Sequence, residues 1–275
     1  MKLGALFELA KPRITAMVVA TYAVGAWMAG AASVARRLSG LVGTVMIVAA
    51  ANAFNMWLER DCDARMERTR RRPLPEGRVS PGAALTFAAM CLVVSLPWLA
   101  LAGLTVVALG LAAFVLYVVV YTPLKRRSML ALPVGAIAGA LPPLMGRVAA
   151  IGAVDATGLY LFAVLFVWQM PHFLAIALAR GDEYASAGLH IGASGRVREV
   201  TLALRVFALS MVGLTALSPW ALGIGPVGAT FAVVASAWLL VLALRIDGTL
   251  VGARRVFLGS MAQLVLVFVG FWVGA

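Results

Sequence analysis

Charge is what this sequence has least of. Aspartate, glutamate, lysine and arginine make up 12% of its 275 residues, and only 11 are acidic. A soluble domain carries about 25% charge. Charge this sparse, beside 63% hydrophobic residues and a mean hydropathy of +0.99, excludes an ordinary soluble fold. One water-soluble core cannot hide so much apolar surface, so the bilayer must be the solvent for most of it. Cysteine is scarce too: Cys62 and Cys91 are too few for a disulfide framework, and Cys91 lies within an apolar run. With two histidines and no Cys/His spacing pattern, a zinc site has no support. The basic excess, a formal charge of +12, would suggest nucleic acid in a soluble protein. Here it falls between apolar stretches, in loops with few aromatic rings to stack bases, so no nucleic acid is expected.

What the chain has in quantity is long apolar runs. Nine are of roughly the 17–25 residues a spanning helix needs. They lie near 14–32, 38–58, 82–102, 103–121, 128–147, 156–179, 200–219, 225–244 and 256–274. The expectation is one all-α polytopic membrane domain, 1–275, with nine transmembrane helices. The first run has a basic start like a cleaved signal, yet it is span-length and similar runs follow, which favours a retained helix. Gly103 predicts a turn between the third and fourth runs. Pro133, Pro142 and Pro143 predict a kinked or unwound fifth.

The basic residues sort by side. If the N-terminus is cytoplasmic, 20 of the 23 lie inside, from Lys2, Lys11 and Arg13 through seven arginines between Arg60 and Arg78 to Arg254 and Arg255. Only Arg36, Arg37 and Arg147 fall outside, which predicts N-terminus in and C-terminus out. Ten of the 11 acids, all but Asp155, share the inner side, and positive-inside topology gives no reason for that. No loop is long enough to hold a soluble domain, so function must sit at the cytoplasmic mouth.

Two constellations lie there. Asn55, Glu59 and Asp63 are spaced four apart, which on a helix places them within about an 80° arc. An amide oxygen and two carboxylates in one column repel unless a cation sits against them, and hard oxygen ligands suit Mg²⁺ with substrate phosphates. Arg65, Arg68, Arg70, Arg71 and Arg72 follow at once, in the fork geometry that binds phosphate. A solvated interfacial helix end would also carry such charges. Asn55 argues against that reading, because an amide one turn deeper needs a partner. In the second constellation, Gln169 and His172 are one turn apart within an apolar run, with Pro171 freeing a carbonyl nearby and Asp182 and Glu183 beyond. Tyr121-x-x-x-Lys125-Arg126-Arg127 and Lys11-Pro12-Arg13 add cations to the same surface, although spacing alone favours ordinary membrane anchoring for them.

These motifs have a familiar order. Asn55-x-x-x-Glu59-x-x-x-Asp63, with Glu67-Arg68-Thr69 and Arg72-Pro73-Leu74, resembles the first acidic signature of the UbiA superfamily of intramembrane prenyltransferases. Tyr121-Thr-Pro-Leu-Lys125 is similar to its Tyr-x-x-x-Lys element. Trp168-Gln-Met-Pro-His172-Phe173, Arg180-x-Asp182-x-Tyr184 and Lys11-Pro-Arg-Ile-Thr15 resemble the protoheme IX farnesyltransferase branch. The resemblance spans about residues 10–190. It implies nine helices around a central cavity in a bacterial inner membrane, farnesyl diphosphate as donor, heme B as acceptor and Mg²⁺ as cofactor. It also implies contact with a downstream heme-modifying enzyme or a terminal oxidase assembly. Carried over by position, Asn55, Glu59, Asp63 and Asp182 would surround the metal–diphosphate. Arg13, Arg68, Arg72, Lys125 and Arg126 would neutralise phosphate, and Tyr121, Gln169 and His172 would face the substrates. Two departures stand out: Glu59 where the superfamily usually has aspartate, and His172 with Asp182 in place of paired aspartates. An aromatic acceptor is the nearest alternative. A secondary transporter would show inverted repeats and mid-depth polar groups, and neither is evident.

Overall fold

Long apolar runs opened by proline, serine, aspartate and threonine dictate helices. In the computed structural model, which describes residues 3–30 and 32–275, every regular element is helical. Lys2, counted above among the basic residues, lies outside that range. A short α1 (Leu3–Leu9) precedes α2 (Pro12–Trp27), the 30-residue α3 (Val34–Asp63) and α4 (Pro81–Ala102). Next, α5 (Leu104–Val115) runs through a π-helical turn (Leu116–Tyr121) into α6 (Thr122–Leu124). The chain continues as α7 (Ala131–Ile151), α8 (Ala156–Ala179), α9 (Gly181–Ser186), α10 (Val197–Ala216), α11 (Ser218–Leu222), α12 (Pro226–Leu244) and α13 (Leu250–Gly274). Ser33, Ser80, Asp155 and Thr249 accept N–H groups at the starts of α3, α4, α8 and α13, satisfying donors the first turn leaves free.

Eight helices among the described residues are long and apolar enough to cross a membrane, with Leu104–Leu124 counted as one rod. The run expected at 14–32 falls short of that length. Its helix α2 has 16 residues and stops at Trp27, where the chain turns through Gly30 at φ +66°. Gly103 does make the predicted turn, at φ +132°, a backbone shape that L side chains rarely take. The prolines do not unwind α7: Pro142 and Pro143 lie inside a continuous helix.

That helix is the centre of the bundle. It packs against α2, α3 and α5 on one side and α8 on the other, and α8 carries α10 and α13. Two groups of helices therefore meet at the α7–α8 contact. The α2–α7 crossing is close enough for backbone to touch backbone. A Cβ on Gly146 would stand 2.1 Å from the Tyr22 carbonyl oxygen, and one on Gly25 1.9 Å from that of Pro143. Small residues at helix crossings allow this approach, and van der Waals contact drives association where the solvent is lipid. Between α2 and α13 the wall opens into an apolar groove of about 430 Å³, lined by Met17, Val24, Trp27, Leu264, Phe268 and Trp272 among others.

The two ends of the bundle differ in chemistry. At one, Arg36 donates to the Ala102 carbonyl (2.7 Å) and Arg147 pairs with Asp155 (2.6 Å), so these cations fasten helix ends. Glu59, Asp63 and the arginine-rich segment 64–80 lie at the other. Gly146→Leu should push α2 off α7 and lower the melting temperature in detergent by several degrees, since overpacking costs about 1–3 kcal/mol or more. Gly213→Ala, on α10 with open space around it, serves as the control and should leave melting unchanged or raise it slightly, because alanine favours a helix interior over glycine.

Candidate active site

The apolar run that ends near residue 58 does not end its helix. Because α3 continues to Asp63, Asn55, Glu59 and Asp63 occupy successive turns of one face, and all three are buried (1%, 6% and 1% exposed). Asn55 is fully engaged. Its Nδ2 donates to Glu59 Oε2 (2.9 Å) and to Thr122 Oγ1 (3.0 Å), and its Oδ1 accepts from Lys11 Nζ (2.7 Å). The ammonium of Lys125 pairs with Glu59, and Arg72 Nη1 with Asp63 Oδ2 at 2.6 Å. Three cations thus face two buried carboxylates.

Local structure aims each cation. The π turn at Leu116–Tyr121 inserts an extra residue per turn before Thr122, a device common at functional sites. Thr122 Oγ1 donates back to the Tyr117 carbonyl (2.8 Å). Lys125 then lies 4.7 Å from the Tyr121 ring centroid, a cation–π contact, while its carbonyl accepts from the His190 N–H (2.8 Å). Lys11 has φ +49°, the one positive φ outside glycine among the described residues. Such a backbone persists only where its surroundings enforce it. Here Asn52 and Thr15 both donate to the carbonyl of Ala10 (3.1 and 2.8 Å), holding the turn that points Lys11 at Asn55. Burial, and next the repulsion of Arg72, pull the Lys11 ammonium down to about 7.

Segment 64–80 is tied at both ends. Thr69 Oγ1 donates to the Asp63 carbonyl (2.8 Å). Arg78 makes a bidentate pair with Glu8 on α1 (2.8 Å each), and its hydrogen bonds hold the Glu8 carboxyl below the usual range.

The second constellation divides. Gln169 turns to α7, donating to the Ala136 carbonyl there and to the Leu165 carbonyl one turn back on α8 (both 3.1 Å), and its amide oxygen lies 2.2 Å from where a Cβ on Gly139 would stand. His172 turns to α13 and meets Ser260 Oγ at 2.9 Å. Asp182 is exposed and accepts from Ser194 (3.1 Å), so its side chain is not brought to Glu59 or Asp63. Its neighbour Glu183 makes the link between loops instead, accepting the Arg68 N–H (3.4 Å) and pairing with Arg180 (2.7 Å). Arg13 and Arg68 are exposed, and Arg126 is exposed with a hydrogen bond to the Leu58 carbonyl (3.3 Å). Thr122 and Ser260 carried no sequence signal, because one hydroxyl in such surroundings is ordinary, and Glu183 was marked only beside Asp182, without its link to Arg68. Lys11 did, within Lys11-Pro12-Arg13, although its contact with Asn55 was not readable.

The donor set suits a hard divalent cation. Glu59 Oε1 and Asp63 Oδ1 are sealed from solvent without a hydrogen-bond partner among the described residues, although Glu59 Oε1 does face the Lys125 ammonium. Buried carboxylate oxygens of this kind are what Mg²⁺ takes when it also binds substrate phosphate. Among the described residues no three acidic, histidine or cysteine side chains converge, and Asn55, Glu59 and Asp63 are buried oxygen-bearing side chains gathered at this end of α3.

A helical membrane bundle with buried carboxylates under cations at one mouth is the architecture of an intramembrane enzyme acting on a phosphorylated substrate. The UbiA prenyltransferase family model matches residues 18–273, and the chain belongs to that family. It is 44% identical to a protoheme IX farnesyltransferase of Anaeromyxobacter sp. (strain Fw109-5), over 98% of this chain and 93% of that one. It is also 44% identical to a protein of the same name from Sorangium cellulosum, over 94% and 100%. Among solved structures, a digeranylgeranylglyceryl phosphate synthase superposes with a TM-score of 0.84 at 14% identity, covering 99% and 98% of the two chains. A UbiA homolog from Aeropyrum pernix K1 gives 0.76 at 21%, covering 94% and 97%. One from Archaeoglobus fulgidus, bound to GPP and Mg²⁺, gives 0.67 at 17%, covering 98% and 99%. These structures share the fold.

Arg72→Met strands a carboxylate that is 1% exposed, and breaking a buried pair this way costs about 3–5 kcal/mol. Arg72 keeps one-fifth of its surface, which places the expected loss at the lower end. Thermal unfolding in detergent without metal should show it, and adding Asp63→Asn should recover most of it.

Proposed function

We propose that the protein transfers the farnesyl group of farnesyl diphosphate to a vinyl carbon of heme B, forming heme O and releasing diphosphate. The observation that carries this is the buried Asn55–Glu59–Asp63 column under Lys11, Arg72 and Lys125, in a chain that resembles its named relatives from end to end. On this reading α2 is the ninth span, the N-terminus is cytoplasmic, and the site opens on the cytoplasmic face of a bacterial inner membrane. The sorting of basic residues supports that orientation.

Asn55, Glu59 and Asp63 would hold Mg²⁺, with Asp182 joining them by turning from Ser194. The ion, when bound, supplies Lewis-acid neutralisation of the diphosphate. Lys125, Arg72 and Lys11 bind phosphate oxygens and stabilise the charge that builds as the allylic C–O bond breaks, its electron pair staying on the diphosphate. Exposed Arg13, Arg68 and Arg126 raise the local concentration of the anionic donor. The farnesyl carbon, now electron-poor, bonds to the outer vinyl carbon of the acceptor. Water adds its hydroxyl to the inner vinyl carbon and releases a proton, completing a hydroxyethylfarnesyl group. The π faces of Tyr121, Trp168 and Phe173 stabilise the cation in passing. Gln169 and His172 position the acceptor, and the groove between α2 and α13 receives the apolar chain. The farnesylated product is apolar enough to pass within the bilayer to a heme-modifying enzyme or an oxidase in assembly.

Purified protein with Mg²⁺, labelled farnesyl diphosphate and a panel of acceptors tests the reading. Label should move to heme B; transfer only to an aromatic phenol or quinone precursor would replace the acceptor while keeping the chemistry. Asp63→Asn should abolish turnover in a protein that still folds, and wild-type activity in that variant would remove the metal assignment. Lys11 generates a separate expectation. Held near 7 by burial, it is largely neutral at pH 8, and an arriving diphosphate favours its charged form. Pyrophosphate binding at pH 8 should therefore take up about one proton more in the parent protein than in Lys11→Arg, which shares any proton the ligand itself releases; calorimetry in buffers of differing ionisation enthalpy reads the difference. That difference should fade as pH falls below 7.

A further inference from the structure

The last helix entered the sequence reading only as an apolar span, and the structure gives it a specific contact. Ser260 of α13 faces His172 of α8, with Oγ 2.9 Å from Nδ1. The same Oγ lies 2.7 Å from the carbonyl oxygen of Phe257, one turn earlier on its own helix. A hydroxyl has a single proton, and a carbonyl can only accept. Ser260 Oγ therefore donates its proton to the Phe257 carbonyl, and the imidazole must donate to Ser260. Of the two tautomers of the neutral ring, only the one with the proton on Nδ1 and the lone pair on Nε2 satisfies both contacts.

The surroundings fix the ring as well as its proton. Trp168 stacks on the imidazole (centroids 5.0 Å apart, 23° between planes), and Phe257 lies on it at 4.8 Å and 32°. Trp168 Nε1 donates to the Ser260 carbonyl at 2.6 Å, so the residue that stacks on the histidine also pins the backbone of its hydrogen-bond partner. His172 Nε2 has no hydrogen-bond partner among the described residues.

We propose that Ser260 is a positioning residue that holds His172 in the Nδ1–H form and so presents the Nε2 lone pair to the acceptor substrate. An Nε2 lone pair is what a proton, or the iron of a metalloporphyrin, would engage, and the group behind the ring decides which nitrogen is available. The proposal rests on the reading of His172 as an acceptor-side residue, but its first test needs no substrate.

Histidine-labelled ¹⁵N protein carrying His190→Gln leaves His172 as the one imidazole, since the chain has two. Long-range proton–nitrogen spectra at pH 8 should show Nδ1 protonated, the less common form for an unconstrained imidazole. Ser260→Ala should shift the ratio toward Nε2–H by about fivefold, the worth of one ordinary hydrogen bond. Ser260→Thr should restore the original ratio. Titration with ferric heme, followed by the Soret band, should then give about twofold weaker binding for Ser260→Ala, since affinity follows the Nδ1–H fraction rather than the ratio, and wild-type binding for Ser260→Thr. Nε2–H in the parent protein, or no change with Ser260→Ala, overturns the proposal; if Ser260→Ala does not fold, the parent spectrum alone decides. A Soret titration unaffected by His172→Ala, beside an Nδ1–H spectrum, would instead fault the acceptor role of His172 and leave the Ser260 assignment standing.

Discussion

Everything at the mouth of this bundle depends on two carboxylates that have no business being buried. Glu59 and Asp63 are 6% and 1% exposed at the end of a membrane helix, where an isolated charge is among the costliest groups to place. The structure meets that cost with Lys125, Arg72 and, through Asn55, Lys11, each delivered by a different stretch of chain. Three remote segments therefore have to converge before α3 can end where it does. The left-handed turn at Lys11, the π turn before Thr122 and the loop pinned by Thr69 and Arg78 all serve that convergence. A buried ion-pair cluster is weak evidence for stability, since apolar residues of equal volume often do as well. Its retention here is better explained by what the same charges do to an incoming anion.

The fold and the site share this constraint through α7 and α8. The α2–α7 crossing lets Lys11 reach Asn55, because α2 can start beside α3 only if it lies flush on α7, and Gly25 and Gly146 allow that. On the far face, α8 carries Gln169 toward α7 and His172 toward α13. Residues one turn apart in sequence thus serve two different interfaces, which accounts for a polar pair inside an apolar run without any contact between its members.

Element type and order were legible because membrane helices advertise themselves in composition, and the spacing of Asn55, Glu59 and Asp63 marked one face before any coordinates. Boundaries were less so: apolarity stops near residue 58 while the helix runs to Asp63, and it continues to residue 32 while α2 stops at Trp27. Hydropathy reports the solvent, whereas helix ends are set by caps, glycines and neighbours. Long-range pairing was the least legible. Nothing in the spacing says that Arg72 rather than Arg68 meets Asp63, or that Glu183 rather than Asp182 reaches the first loop, because side-chain partners depend on how segment 64–80 folds back. Ser260 was invisible for a plainer reason: a serine in a lipid-facing sequence has no pattern until its helix is placed beside α8.

Charge is segregated across the interior in a way that suits a carbocation reaction. On the proposed reading the donor side is ionic, with carboxylates, ammonium and guanidinium groups crowded at the end of α3, and the acceptor side is polar but neutral. Neither α8 nor α12 has a charged residue. The polar groups between α8, α10, α12 and α13 are half-buried His172 and buried Ser260, Gln263, Ser236 and Thr215, linked by hydrogen bonds to one another or to carbonyls, Gln263 through its amide nitrogen. A carboxylate near an electron-poor allylic carbon would capture it as an ester, and a loosely held water would quench it as an alcohol. Hydroxyls already committed to hydrogen bonds and aromatic faces such as Trp168 and Phe257 do neither, and the rings stabilise positive charge without forming a bond to it. If the diphosphate departs at the mouth, as proposed, and the new carbon–carbon bond forms beside the neutral groups, this segregation separates the two halves of one reaction along the length of the helices.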